Sequence, residues 1–190
     1  MILFRKELMI SLLLICLVFV LLGCTTIEEE LITAAKIGDK SKVKQMIERG
    51  VDPNVSNNGG WTPLIMAVQR GYYEIARMLI NHGADINAID KSGRSVLLVT
   101  QGMYLEVIKL LLKAGADVNS VDENGVTILM HASAVGNLEV VKMLIKNGAD
   151  VNTRAKNGLT ALEGAQKMLE GVRDRRISKC IELLKKAGAK

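Results

Sequence analysis

Few side chains in this 190-residue sequence could carry catalytic or ligand chemistry: two histidines, three cysteines and one tryptophan. His82 and His131 stand far apart, and neither has a cysteine or carboxylate cluster at metal-ligand spacing around it. General acid–base work by either would need a partner within hydrogen-bond reach, and the neighbouring residues suggest none. His82 precedes a glycine, a place where a polar side chain complements the carbonyl end of a helix. No Gly-x-Gly-x-x-Gly, P-loop or nucleophile-elbow pattern occurs. The sequence therefore offers no catalytic residue, no metal site and no cofactor site. What remains is recognition chemistry. Trp61, with Arg70 and Arg94, supplies the residue types most enriched among interface hot spots. The run Arg173-Asp174-Arg175-Arg176 could meet phosphate or anionic lipid, although such runs are more often solvated helix ends.

These residues are positioned by a repeat. Gly50-Val51-Asp52-Pro53-Asn54 recurs from Gly83, Gly115 and Gly148, at steps of 33, 32 and 33 residues. A second phrase keeps the same register: Gly60-Trp61-Thr62-Pro63-Leu64, then from Gly93, Gly125 and Gly158. Thr62 and Pro63 read as an N-cap followed by the residue type favoured at the first helical position, and Thr127 and Thr160 repeat the cap. A short helix ending near Gly71 or Gly136 is expected, then a second with apolar residues at helical spacing. Those are Ile75, Met78 and Leu79; Val107, Leu110 and Leu111; Val140, Met143 and Leu144. Each unit is two antiparallel helices and a polar hairpin, unable to bury its apolar face without neighbours.

A period near 33 with a T-P-L-like helix start resembles the ankyrin repeat, over roughly residues 28 to 190. The resemblance implies an all-α solenoid of stacked helix-turn-helix units with hairpin tips, about five in number. The first and last units are atypical caps. The unit at 90–121 is one residue short, with Val99-Thr100-Gln101-Gly102 in place of a fuller turn, so its inter-helix geometry should depart from the others. In the last unit the first helix should be lengthened through Lys167-Met168-Leu169-Glu170.

A different kind of segment precedes the repeats. Arg5 and Lys6 lead into an apolar run from Leu8 to Leu22, ending Leu21-Leu22-Gly23-Cys24. Fifteen helical residues would span roughly 22 Å, short of the ~30 Å hydrocarbon core and nearer to a secretory signal. Leu-x-Gly-Cys at the end of such a run resembles a bacterial lipobox; an uncleaved signal anchor is the alternative. The lipobox implies residues 1–23 as signal peptide, a lipidated Cys24 with a short tether over 24–30, and the repeat domain over 31–190. Two or more acyl chains would hold it stably at a membrane. Residue 25 is Thr rather than the Asp of inner-membrane retention, which favours the outer membrane of a two-membrane bacterial envelope. The domain would then face the periplasm or the outside. Thr26-x-x-Glu29 fits a capping box, so the first helix should start three or four residues past Cys24.

Composition narrows the partner. The whole chain carries 25 basic and 20 acidic residues, net +5, and about +4 without residues 1 to 23. That mild excess does not call for nucleic acid. With Cys16 in the leader and Cys24 lipidated, Cys180 is left alone, beside Ile181, as a small core residue. The ankyrin resemblance implies a concave partner-binding face built from hairpin tips and first helices. Its candidate contacts here are Trp61, Arg70, Lys91, Arg94, Glu123, Arg154 and Lys156, with Trp61, Arg70 and Arg94 as anchor. Basic residues outnumber Asp90, Asp122 and Glu123 on that face, which suggests a mildly acidic protein partner. The expected function is a membrane-tethered, non-enzymatic protein-interaction module. An inhibitor or immunity-type protein occluding an enzyme, and an envelope-structural protein, are the alternatives.

Overall fold

The computed structural model describes residues 26–190. Nine α-helices run through them: α1 (Ile27–Ile37), α2 (Lys40–Glu48), α3 (Pro63–Gln69), α4 (Tyr73–Asn81), α5 (Leu105–Lys113), α6 (Ile128–Ala134), α7 (Leu138–Lys146), α8 (Ala161–Gly171) and α9 (Arg175–Lys186). A 3-10 turn, Leu98–Thr100, stands where the third unit's first helix would lie. No strand forms among the described residues, only isolated antiparallel bridges at Ile89–Ser95 and Val121–Thr127. Inner elements α1, α3, the 3-10 turn, α6 and α8 pack in one row, and α2, α4, α5, α7 and α9 in a second. The architecture is an all-α repeat solenoid.

Each inner helix starts on a hydroxyl cap. Thr62 Oγ1 accepts from the Ile65 N–H at 3.2 Å, Thr127 Oγ1 from Met130 at 3.3 Å, and Thr160 Oγ1 from Glu163 at 3.3 Å. At Thr160 the box is complete, since the Glu163 carboxylate accepts the Thr160 N–H at 2.8 Å. Such a cap contributes about 1 kcal/mol. The outer helices bury a stripe displaced around the helix from the one expected. Ile75, Ala76 and Leu79 are buried on α4, Val107, Ile108 and Leu111 on α5, and Val140, Val141 and Leu144 on α7. Met78, Leu110 and Met143, expected in that stripe, are only half-buried and flank it. A helix packed between two like neighbours presents residues i, i+1 and i+4 inward, and i+3 falls toward the seam.

The Gly-Ala-Asp-x-Asn phrase explains how the units are tied. Within a phrase the Asp carboxylate accepts the Asn N–H, at 2.9 Å for Asp85–Asn87 and Asp117–Asn119. The Asn amide then reaches into the next phrase. Asn54 donates to the Gly83 carbonyl at 3.0 Å and accepts the Asp85 N–H at 2.7 Å. Asn119 does the same with Gly148 and Asp150, at 3.1 and 2.8 Å. Asn54 and Asn119 thereby satisfy a carbonyl left open at a helix end as well as the Asp N–H beyond it, whereas Asn87 accepts the Asp117 N–H at 3.3 Å.

The third unit departs as its missing residue requires. Its inner helix shrinks to the 3-10 turn, and the Ser95 hydroxyl, two residues ahead of its N-cap Leu97, accepts the Leu98 N–H at 3.2 Å. Gln101, at φ 51°, is the one non-glycine residue with positive φ among those described, and Gly102 follows at φ 70°. A left-handed Gln in place of a glycine costs about 1–2 kcal/mol. Gly102 lies so close to α6 that a Cβ there would stand 2.8 Å from the Ala132 Cα.

At the two ends, α1 is capped by Thr26, so Ile27–Glu30, reckoned above to the tether, already form its first turn. In the last unit α8 extends to Gly171, and Asp174 caps α9 by accepting the Arg176 N–H at 2.8 Å. Arg173-Asp174-Arg175-Arg176 is thus a helix start, with Arg176 and Asp174 paired at 2.7 Å. Cys180 is fully buried on α9, and burial pushes its thiol pKa up. Cys24 and the apolar run before it lie outside the described residues. No helix among the described residues is long and apolar enough to cross a membrane.

Candidate protein-binding face

The candidate face is assembled from hairpins whose turns are set by one side chain each. Asp90 Oδ1 accepts from the Ser92 and Arg94 N–H groups at 2.9 and 3.0 Å, and Asp122 Oδ1 from Asn124 and Val126 at 2.8 and 2.9 Å. Asn57 takes the same place in the first hairpin, accepting from Gly59 and Trp61. Neighbouring tips are joined through backbone, with Lys91 N–H on the Gly59 carbonyl at 3.0 Å and Lys156 N–H on Asn124 at 2.8 Å. The face is therefore preformed, and a partner docking on it need not order these loops.

Trp61 and Arg94 occupy the same register position in adjacent units, and the structure brings them together. The Arg94 guanidinium lies 5.5 Å from the centroid of the Trp61 ring. Asp90 holds it there, with Nη2 to Oδ2 at 2.7 Å and Nε to Oδ2 at 2.9 Å. The Asp90 side chain is only 1% exposed and that of Arg94 27%. Asp90 is therefore not one of the face's free acids: it is the buried counter-ion of Arg94. Trp61 is half-buried and packs against the core, one ring face covered by the cation.

Arg70 does not join this pair. It is the C-cap residue of α3, whereas Trp61 precedes the Thr62 cap at the other end. Seven helical residues separate them, about 10 Å along the axis. Arg154 is also engaged, donating to the Gly158 carbonyl and pairing with Glu163 at 3.0 Å. The Thr160 backbone N–H, followed by Arg154, holds the Glu163 carboxyl below its ordinary range. Lys91, Glu123 and Lys156 stay exposed at the tips, without an ion pair among the described residues.

The apolar part of the face lies elsewhere, between α6 and α8. A groove of about 460 Å³ is lined there by Val126, Met130, Ala134, Leu159 and Met168, among others, with His131 and Lys167. Met168 is 48% exposed. Met130, Ala134, Gly164 and Met168 were not among the sequence candidates. The signal was available, because Gly164 stands 33 residues after His131 in the repeat register, at a position that faces the groove. Burial pushes the His131 pKa down, with Asp122 opposing, so the imidazole is neutral at pH 7. A cleft of about 580 Å³ lies on the opposite side between α4 and α5. Two of its basic side chains are paired, Arg77 with Glu74 at 2.8 Å and Lys109 with Glu106 at 2.9 Å. Among the described residues no three His, Cys, Asp or Glu side chains converge as a metal site would require.

Comparison with known proteins agrees with this architecture. The family model described as "Ankyrin repeats (3 copies)" matches residues 15–90, 31–122 and 96–190. A putative ankyrin repeat-containing protein of Treponema pallidum (strain Nichols) is 38% identical over 65 residues, 34% of this chain and 22% of that protein. The mouse 2-5A-dependent ribonuclease is 41% identical over 78 residues, 40% of this chain and 11% of that protein. Human protein phosphatase 1 regulatory subunit 27 is 41% identical over 56 residues, 30% of this chain and 36% of that protein. The matched segments span only a minor part of each relative. With the repeat register, the two rows of helices and the matched segments in agreement, the chain belongs to the ankyrin-repeat family.

Proposed function

We propose that this chain is a non-catalytic protein-binding module, held at a bacterial membrane by lipid on Cys24, that docks a protein on its concave face. The observation that carries the reading is the preformed face itself. Hairpin tips locked by Asp90, Asp122 and Asn57 present the Trp61–Arg94 pair at one end and an apolar groove at the other. A preordered surface with an aromatic and a guanidinium has the composition of an interface centre. Lys91 and Lys156 at the tips favour a partner with acidic groups at the rim. The match to the Treponema relative covers 34% of this chain and 22% of that protein, and its name states no partner, so the partner is to be identified by direct capture.

The test is a cross-linked pull-down of the intact protein from its native envelope beside a Trp61→Ala, Arg94→Glu double variant. A partner lost in the variant supports the concave face; one retained equally overturns it. The membrane component is checked separately. Cys24→Ala should abolish incorporation of labelled fatty acid and leave the precursor uncut. A processed, soluble form of normal mature mass would refute lipidation.

A further inference from the structure

We infer that the groove between α6 and α8 is an anchor pocket for an apolar side chain of the partner, taken from a segment flanked by carboxylates. This rests on the concave face being the working surface, and it assigns that face its specific chemistry.

Four observations converge on the groove. First, Gly164 lies inside α8, three residues past its start, in a helix running from Ala161 to Gly171. Glycine within a helix costs about 1 kcal/mol relative to alanine. The usual reasons for accepting that cost are missing: its backbone lies outside the left-handed region, and a Cβ built on it would meet nothing within 4 Å. Neither close packing nor a special backbone angle accounts for the glycine. What the missing side chain does is leave open the groove whose wall it forms.

Second, the walls are apolar: Val126 and Leu159 from the hairpins, Met130 and Ala134 from α6, Met168 from α8. Unbranched methionines adapt to differently shaped apolar side chains. About 460 Å³ fits a few side chains from an extended segment rather than a whole helix. Third, the exposed Lys167 lines the groove and the exposed Lys156 stands between the lining residues Ala155 and Asn157, and neither lysine has an ion-pair partner among the described residues. Of the acidic side chains on this part of the face, Glu163 is held by Arg154 at 3.0 Å and Asp122 by the N–H groups of its own hairpin, while Glu123 at the tip is exposed. Fourth, charge is distributed unevenly along the stack. Residues 24–160 carry 15 basic and 15 acidic side chains, whereas 161–190 carry 8 and 4. The positive excess therefore belongs to the last unit, where it sits on α9 of the outer row; α8, which forms one wall of the groove, carries Lys167 against Glu163 and Glu170. An apolar segment bearing Glu or Asp beside its anchor is drawn to this end of the face, and one bearing Lys is repelled.

The experiment uses the full chain in detergent micelles with ¹³C-methyl-labelled methionine. The ligands are synthetic seven-residue peptides with a central Leu flanked by Glu, the same peptide flanked by Lys, and a Glu-flanked peptide with central Ala. The Glu–Leu peptide should shift the Met130 and Met168 methyl signals while leaving Met46 unmoved, since Met46 is buried in the first unit. Binding should weaken at least tenfold for the Lys-flanked and Ala-centred peptides. Gly164→Leu fills the groove from a position with free space and should likewise weaken binding at least tenfold, with its melting temperature no lower than that of the parent. Lys156→Glu with Lys167→Glu should reverse the preference for flanking charge. Absence of any Met130 or Met168 shift at millimolar peptide overturns the assignment, as does undiminished binding by Gly164→Leu. An envelope partner lost in the Trp61→Ala, Arg94→Glu variant but retained in full by Gly164→Leu would keep the concave face and overturn the groove alone.

Discussion

Gly102→Ala measures how tightly the shortened third unit is held against its neighbour. A Cβ at residue 102 would lie 2.8 Å from the Ala132 Cα and Cβ and 2.9 Å from its N. Carbon atoms settle at about 3.5–4.0 Å, so the 3-10 turn and α6 would have to separate by roughly 0.7 Å or more. Overpacking of this kind costs about 1–3 kcal/mol. The residue also sits at φ 70°, where a side chain adds about 1–2 kcal/mol. Separation would stretch the bond from the Asn137 amide to the Gly102 carbonyl, now 3.0 Å, which contributes about 1 kcal/mol. Loss of unfolded-chain entropy returns about 0.5–1 kcal/mol. The expected net loss is about 2–5 kcal/mol. Gly115→Ala is the internal control: it has φ 94° in the same unit, but a Cβ there meets nothing within 4 Å. It should cost only the backbone component, about 1 kcal/mol. Urea denaturation followed by far-UV circular dichroism gives both values. Equal losses for the two variants, within about 0.5 kcal/mol, would refute the close approach as the cause.

Gln101→Gly removes the left-handed strain one position earlier and should stabilise the protein by about 1 kcal/mol in the same assay, with a decrease counting against the assigned backbone. Asn119→Ala deletes the amide that joins the third unit to Gly148 and Asp150, and should speed hydrogen exchange at the Asp150 N–H more than at Asp85, where Asn54 is intact. Equal protection at both sites in the variant would sink the ladder argument. His131 titrates below its ordinary value of about 6.5 because it is buried, so the unfolded chain takes up its proton first. Its contribution to stability is therefore full above about pH 6.5 and declines as pH falls from there toward the folded-state pKa. His131→Gln should flatten that slope, and an imidazole titration by NMR at or above 6.5 would contradict the assignment.

The repeat length, hydroxyl caps, helix-ending glycines and Asp–Asn phrases were all legible in the sequence, because each is a local solution to a local backbone problem. Thr62-Pro63 starts a helix wherever it stands, and Asp85 turns the chain onto Asn87 within two residues. The short third unit could also be seen as a departure, since a missing residue is countable. What the chain order could not assign is which side chains meet across units. Asp90 is withdrawn from the face because it lies beneath Arg94, and Arg94 is fixed over Trp61 because the next hairpin stacks at that height. Arg70 shares a unit with Trp61 but lies at the far end of α3. The groove beside Gly164 exists only because α6 and α8 are neighbours in space, 33 residues apart in the chain. The sequence determined each unit, since a unit's structure rests on interactions a few residues long. The face was decided by stacking, since burial and ion pairing between units depend on distances that only the assembled solenoid sets.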